Sequence, residues 1–224
     1  MWYTPISANH LSIYEGKLKA CYTTGKHRST GSSEGMLKTM ASKLNKMPMP
    51  SPSYDFSWWK GKSVLVTGGA GFIGSHLVDM LISVGAQVTI ADNLSKGSLS
   101  NLIEVWNNHS LEVKEKEPHK LIEAGNSTFI YCDLEYREQV KKLFSEYTFD
   151  VVVHLAAVIG GRGFIDTHPA ECCRNFAINH NVFSEACASG VRRIHYSSTA
   201  CVYPVSLQSA YNSSYLLKEE DAIK

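Results

Sequence analysis

The sequence predicts an α/β protein whose strands form a doubly wound parallel sheet. From residue 61 onward, short apolar runs alternate with stretches of helical periodicity, which is the pattern of successive β-α-β units. The first apolar run ends at a glycine-rich turn and the second ends at an acidic residue. Because parallel strands joined by right-handed crossovers all point the same way, we expect both features at one edge of the sheet.

The glycine turn lies between a predicted strand, Ser63–Thr67, and a predicted helix over residues 72–84. Its glycines have the spacing G-x-x-G-x-x-G, at Gly68, Gly71 and Gly74. Glycine adopts positive φ and lets a diphosphate approach the backbone, while the following helix offers unpaired N–H groups. We therefore predict a dinucleotide site that includes Phe72 and Ile73. A turn that packs the helix on the sheet without a ligand is the alternative.

The second predicted strand, residues 87–91, is followed by Asp92, 18 residues after Gly74. A carboxylate at this place can accept hydrogen bonds from both hydroxyls of an adenosine ribose. No arginine directly follows it, and this favours NAD over NADP, although Lys96 lies nearby.

The remaining elements follow in order along the chain. We predict a helix over residues 99–107 and a solvated surface insertion rich in Glu and Lys over residues 111–119. We then predict, in sequence order, a strand at Ser127–Tyr131, a helix carrying Val140, Leu143, Phe144 and Tyr147, a strand over residues 150–155, a long helix over 169–189 and a strand over 192–197.

Several residues fall at the carboxyl ends of these strands, where such sheets bind ligands. Asp133 follows the third parallel strand and is placed to meet the adenine amino group. The small side chains of Ala156 and Ala157 would let a cofactor lie across the fourth strand. With the glycine turn and Asp92, the predicted cofactor site further includes Asn93, Asp133, Leu134, Leu155, Ala156 and Ala157.

Residues 1–60 differ in composition from residues 61–224. They carry eight Lys and Arg residues against three acids, and a Pro-rich segment lies at residues 47–52. We predict a flexible, disordered extension before a single dinucleotide-binding domain over residues 61–224. A transit peptide, or translated sequence upstream of the true start, is the alternative.

Bulk composition excludes several functions. A net charge of +1 does not indicate a general nucleic-acid-binding surface. The sequence contains no run of 18 apolar residues, so no membrane-spanning helix is predicted. The six cysteines form no C-x-x-C pair and indicate reduced thiols in a cytoplasmic protein. The nine histidines have no metal-ligand spacing, so no metal is predicted.

The strand-end residues are similar to those of a known family. The segments 67–74, 92–93, 133–134, 154–157 and 197–203 resemble the extended short-chain dehydrogenase/reductases, the NAD-dependent nucleotide-sugar epimerases and dehydratases. Within that family, segments 160–165, 199–204 and 217–222 resemble GDP-mannose 3,5-epimerases. The resemblance implies a Rossmann-type fold, NAD as cofactor, a nucleotide-sugar substrate with GDP favoured, substrate contacts at Gly161, Gly163 and Phe164, and a possible homodimer.

The chemistry implied by the resemblance begins with oxidation of the sugar at C4. The resulting ketone acidifies the neighbouring carbons, so that protons are removed and returned at C3 and C5. Thr199 would bond the C4 oxygen and Cys201 would be one of the acid/base pair. The alternatives are a Thr199 that ends the last strand with a local hydrogen bond, and a Cys201 that is a small core residue.

One element of the family is missing. Its members carry a Tyr with a Lys four residues later, after the last predicted strand, and here that spacing occurs only at Tyr22 and Lys26. We therefore expect a truncated chain, without the C-terminal substrate domain, that folds and binds NAD but does not turn over substrate. Another nucleotide-sugar epimerase, dehydratase or decarboxylase, and a non-catalytic dinucleotide-binding protein, are the alternatives.

Overall fold

The computed structural model describes residues 55–117, 120–199, 202–204 and 218–223. Except for Asp55, these residues belong to one compact unit, Phe56–Lys224. The flexible extension predicted for residues 1–60 lies almost wholly outside the described residues, as does Cys201, so both interpretations stay predictions.

The described residues form a seven-stranded sheet with helices on both faces. The strands are β1 Ser63–Thr67, β2 Gln87–Asp92, β3 Val113–Glu117, β4 Leu121–Ala124, β5 Ser127–Tyr131, β6 Val151–His154 and β7 Arg193–Tyr196. The helices are α1 Phe72–Ser83, α2 Leu99–Asn108, α3 Arg137–Glu146, α4 Arg162–Thr167 and α5 Pro169–Ala188, with 3₁₀ turns at Phe56–Trp59 and Glu219–Ile223.

The strand order is β3-β4-β5-β2-β1-β6-β7, and β5, β2, β1, β6 and β7 pair in parallel. Counted along the parallel strands, this is the order 3-2-1-4-5 of a Rossmann-type sheet. The predicted fold class is therefore confirmed. The order reverses between β1 and β6, and a crevice is expected there, outside the carboxyl ends of the strands.

The central strand β1 explains how the core is divided. Alternate side chains of a strand point to opposite faces, so Val64 and Val66 pack in one cluster with Trp106, while Leu65 packs in the other with Val152. All of these side chains are buried. A strand that is buried on both faces needs an uninterrupted run of apolar residues, and this is why β1 could be predicted from the sequence.

The segment predicted as a solvated surface insertion, residues 111–119, contains β3, the first strand of a β-hairpin that was not predicted. Strands β3 and β4 pair antiparallel, and β4 pairs antiparallel with β5, which makes the sheet mixed at this edge. Every residue of β3 is exposed. Its Glu and Lys content therefore indicates the surface correctly, but backbone hydrogen bonds to β4 hold it as an edge strand, and charges there discourage further pairing.

The short helix α4 was not predicted. It has only six residues and includes Gly163. Its N-cap residue is Gly161, which has no side chain to cap the helix, so the sequence carries no capping residue that marks the start. The other predicted helices and strands are found with ends that differ by no more than three residues.

Candidate functional site

The glycine turn joins β1 to α1 by close backbone contacts. Gly68 has a φ of 70°, and a Cβ built there would lie 2.8 Å from the nitrogen of Ala156. Gly68 donates its N–H to the Ala91 carbonyl at 2.8 Å. No side chain caps the N-terminus of α1 at Gly71. This leaves a positively polarised helix end beside a turn in which only Ala70 carries a side chain, and such a turn suits an anionic group.

Asp92 fastens the second strand to this turn. Its Oδ2 accepts a hydrogen bond from the Ala70 N–H at 3.0 Å, and its Oδ1 accepts one from the Leu94 N–H at 2.8 Å. The residue is only 7% exposed, and burial raises the pKa of its carboxyl, although the backbone hydrogen bonds oppose this. Each oxygen retains further acceptor capacity, so Asp92 can both hold the turn and accept from a ligand.

The N-terminal end of α2 holds the same turn from the other side. The Ala70 carbonyl accepts hydrogen bonds from the Ser98 N–H at 3.0 Å and from Asn101 Nδ2 at 2.8 Å. Gly97 comes so close that a Cβ there would lie 2.8 Å from the Ala70 carbonyl carbon. The turn is therefore fixed by α2 and β2 before any ligand arrives.

A cleft of about 590 Å³ opens at the carboxyl ends of the parallel strands. It lies where the strand order reverses, and its size suits a ligand of cofactor dimensions. Thirteen residues predicted from the sequence line it: Gly68, Gly71, Phe72, Ile73, Gly74, Asp92, Asn93, Asp133, Leu134, Leu155, Ala156, Ala157 and Phe164.

The other predicted site residues lie elsewhere. Gly161 and Gly163, both in the described part of the chain, do not line the cleft, so only Phe164 of the three predicted substrate contacts does. Thr199 is exposed beyond β7, and its carbonyl accepts a hydrogen bond from the Val202 N–H. Neighbouring Ser197 lines the cleft, whereas Cys201 lies outside the described residues.

Sequence reasoning missed part of the cleft wall. Glu171, Arg174 and Ile178 of α5 reach it at helical spacing i, i+3, i+7. That spacing was readable, but nothing local showed that this face of the helix turns toward the strand ends. The remaining unpredicted lining residues are Ser95, Lys96, Gly97, Cys132, Val158 and Ile159.

A hydrogen-bond chain runs from the buried Thr67 on β1 to Tyr196 on β7, which is 48% exposed. Thr67, His154 and Tyr196 are register partners on β1, β6 and β7. Thr67 Oγ1 lies 2.7 Å from His154 Nδ1, His154 Nε2 lies 3.0 Å from Asn179 Oδ1, and Asn179 Nδ2 donates to the Tyr196 hydroxyl at 3.1 Å. Because Thr67 Oγ1 already accepts the N–H groups of two residues after β6, its hydroxyl proton goes to Nδ1. We therefore assign His154 as the neutral Nε2–H tautomer.

Acid should weaken the fold through His154. The side chain is 1% exposed, and burial lowers the pKa of its imidazole below the usual 6.5. The folded state therefore binds fewer protons than the unfolded state once the pH falls below about 6.5, and stability is lost in that direction by up to about 1.4 kcal/mol per pH unit. We expect the free energy of unfolding, measured by urea titration, to fall between about pH 7 and about pH 5.

The variant His154→Asn provides the comparison, because it removes this one imidazole and leaves the other eight histidines in place. Asparagine carries no proton, so the slope of its unfolding free energy against pH should be smaller than that of the wild type. Equal slopes in the two proteins would contradict the assignment of a buried neutral imidazole.

Two further features of the described residues limit the chemistry. Cys132 lines the cleft, but burial raises the pKa of its thiol to about 12, so it stays protonated and is a poor nucleophile. Among the residues that the structure describes, no three His, Cys, Asp or Glu side chains come together as a metal site.

In the described part of the chain, no helix combines the length and apolar character that a membrane span needs.

The parallel strand order and the glycine turn that meets a buried acid define a Rossmann-type α/β protein with its cleft at the switch point of the sheet. The chain matches the NAD dependent epimerase/dehydratase family over residues 64–221, and it belongs to that family.

The chain matches only part of the length of its curated relatives. UDP-arabinose 4-epimerase 1 of Arabidopsis thaliana is 40% identical over 141 residues, which are 62% of this chain and 30% of that protein. UDP-glucose 4-epimerase of Neisseria meningitidis serogroup C is 34% identical over 63% of this chain and 38% of its own length. The chain thus spans about a third of the length of such curated relatives.

A solved structure agrees with this placement. An epimerase from Methanothermobacter thermautotrophicus superposes with a TM-score of 0.55 at 32% identity, over 74% of this chain and 42% of its own. The curated relatives named above carry UDP-sugars in their names. The GDP-sugar preference predicted from the sequence therefore finds no support in them.

Proposed function

We propose that this chain is the NAD-binding part of a nucleotide-sugar epimerase that transiently oxidises its sugar at C4. The observation that carries the proposal is a buried carboxylate, Asp92, beside an uncapped helix N-terminus in one cleft. Burial raises the pKa of this acid, so its charge costs stability at neutral pH. The presence of this costly carboxylate at a cleft of ligand size is best explained by a ligand that forms hydrogen bonds with it.

The residues of the cleft fit a dinucleotide. The bare turn at Gly68 and Gly71 and the N-terminus of α1 suit a pyrophosphate. Asp92 would accept the ribose hydroxyls, and Asp133 and Leu134 would line the adenine side. When bound, NAD supplies hydride acceptance and return at the sugar carbon.

The chain's own part in the chemistry is to bind, orient and exclude water. Ser197 and the neighbouring Thr199 follow β7, at the same edge of the sheet as the glycine turn. We propose that Thr199 donates a hydrogen bond to the sugar oxygen at C4 and so stabilises the charge that develops there. Cys201 remains a proposed acid/base residue on the basis of the family resemblance alone.

For the complete protein we propose a UDP-sugar as substrate, with epimerisation at C4, since the relatives named above have that activity in their names. A second candidate is 3,5-epimerisation of GDP-mannose. It is favoured by the resemblance of residues 160–165 to the corresponding loop of those enzymes, and by α4, which brings Phe164 to the cleft. Titration of the chain with UDP-sugars and with GDP-mannose, in the presence of NAD, distinguishes the two by which nucleotide sugar binds.

Two other interpretations stay proposals. A homodimer would form through α3 and α5, which pack together; sedimentation velocity tests it by the mass in solution. A non-catalytic dinucleotide-binding protein would bind NAD without any nucleotide sugar. The DNA just past codon 224 tests it, because a Tyr with a Lys four residues later encoded there would instead support an epimerase part.

The variant Asp92→Asn tests the proposed cofactor site. An amide accepts only one of the two backbone N–H bonds, but it also removes the cost of a buried charge, so stability should change by no more than about 1 kcal/mol. Loss of the acceptor for ribose should weaken NAD binding by at least about tenfold. Isothermal titration with NAD and urea unfolding measure the two effects separately.

Asp150→Asn is the matched control. Asp150 also accepts a backbone N–H, from Ser63 at 3.0 Å, but it precedes β6 and therefore lies at the opposite edge of the sheet. Its replacement should leave NAD affinity unchanged. NAD binding by Asp92→Asn at wild-type affinity would contradict the proposed site.

A further inference from the structure

Helix α5 holds the two loops that wall the cleft beyond the glycine turn. Asn175 accepts a hydrogen bond from the Val158 N–H at 2.8 Å and donates one to the Val158 carbonyl at 2.9 Å. Farther along the helix, Asn181 Nδ2 donates to the Leu134 and Glu135 carbonyls at 3.0 Å each. One helix thus sets the position of the loop after β6 and of the loop after β5.

Arg174 is the third polar contact of α5 with these loops, and it differs from the asparagines because it lines the cleft itself. Its Nε donates to Glu135 Oε2 at 2.6 Å, and its Nη2 also contacts that oxygen. The pair connects α5 to the residue that directly follows Asp133 and Leu134, both of which line the cleft. A restraint on Glu135 is therefore a restraint on the backbone that faces the ligand.

The pair is poorly placed to stabilise the fold. The side chains are 44% and 28% exposed, and ion pairs in contact with water contribute little to folding because solvent and salt screen them. Asn181, which is buried, already holds the same loop through its backbone. The pair adds a link at the cleft, where a small displacement of the loop matters more for a bound ligand than for the core.

We propose that Arg174 and Glu135 form a positioning pair that fixes the adenine-side wall of the cleft and thereby sets the affinity for NAD. The inference rests on the proposed function of the cleft. Arg174 acts through Glu135 and the loop that carries Asp133 and Leu134. It does so without bonding the ligand.

The test measures NAD affinity by isothermal titration and thermal unfolding for the whole chain. We expect Arg174→Gln and Glu135→Gln each to weaken NAD binding by about five- to tenfold, while the melting temperature shifts by less than about 2 °C. The charge-swapped double variant Arg174→Glu with Glu135→Arg should recover most of the lost affinity. The difference between wild type and the single variants should shrink at high salt, because salt screens an exposed pair.

A second ion pair between neighbouring helices supplies the control. Arg137 of α3 contacts Glu185 of α5 at 3.5 Å, and neither residue lines the cleft. Arg137→Gln should leave NAD affinity unchanged.

Three results would overturn the inference. A wild-type chain that binds no NAD would remove the proposed function and this inference together. A wild type that binds NAD while Arg174→Gln binds it equally well would overturn this inference alone. A charge swap that fails to recover affinity although the protein remains folded would show that Arg174 acts on the ligand and not through Glu135.

Discussion

Replacement of Gly74 by alanine is expected to abolish measurable NAD binding and to lower the free energy of unfolding by about 3 kcal/mol. A Cβ at Gly74 would lie 2.6 Å from the Gly69 Cα and 2.9 Å from the Gly68 carbonyl carbon. These are backbone atoms of the turn, so no rotation of a side chain relieves the overlap. Helix α1 would have to move away from the turn, and the N–H groups that suit a pyrophosphate would move with it.

Urea unfolding and titration with NAD measure the two effects of Gly74→Ala. Gly163→Ala is the control for stability, because a Cβ at Gly163 in α4 would meet no heavy atom within 4 Å. Alanine favours a helix over glycine by about 0.5–1 kcal/mol, so this variant should be as stable as the wild type or slightly more stable. A Gly74→Ala protein that unfolds like the wild type would show that the turn tolerates a wider separation from α1.

Removal of the Trp106 indole is expected to have an effect of the same size on the fold. Trp106 of α2 is fully buried, and its Nε1 donates a hydrogen bond to Ser127 Oγ at 2.8 Å. Trp106→Ala leaves a large cavity and removes that donor, and we expect a loss of about 3–5 kcal/mol in the free energy of unfolding. Because α2 also holds the Ala70 carbonyl through Asn101, its loosening should weaken NAD binding as well.

Trp58→Ala provides the comparison for Trp106. Trp58 is 40% exposed, and its ring lies 4.5 Å from the Arg193 guanidinium carbon. Its loss should cost less than about 2 kcal/mol, since only part of the ring is removed from water and an exposed cation–π contact is weak. Equal losses in the two variants, measured by urea unfolding, would show that Trp106 is not the anchor of α2.

The parts of the structure that could be predicted are those that local patterns encode. The apolar run of β1 and the glycines from Gly68 to Gly74 predict a strand, a turn and a helix. They do so because hydrophobic periodicity and turn-forming residues are properties of neighbouring positions in the sequence. The edge hairpin was missed for the complementary reason. Strand β3 is polar on both faces, and only pairing with β4 holds it.

The candidate site divides in the same way. Thirteen predicted residues line the cleft because strand ends of a parallel sheet meet at one edge whatever their distance in sequence. Asp92 was predicted as a ribose acceptor, but its hydrogen bonds to Ala70 and Leu94 were not. They depend on where the turn lies relative to the second strand, which no local pattern specifies.

The sequence by itself determined the alternation of strands and helices, the glycine turn and the acid that follows the second strand, because each depends on backbone preferences and burial within a few residues. Only the tertiary structure decided which face of α5 meets the cleft and that His154, as a neutral imidazole, links Thr67 of β1 to Asn179 of α5. Arg174 and Glu135 are 39 residues apart, and Thr67 and His154 are 87 apart. Contacts of that range follow from how the elements pack, and packing is a property of the whole sheet.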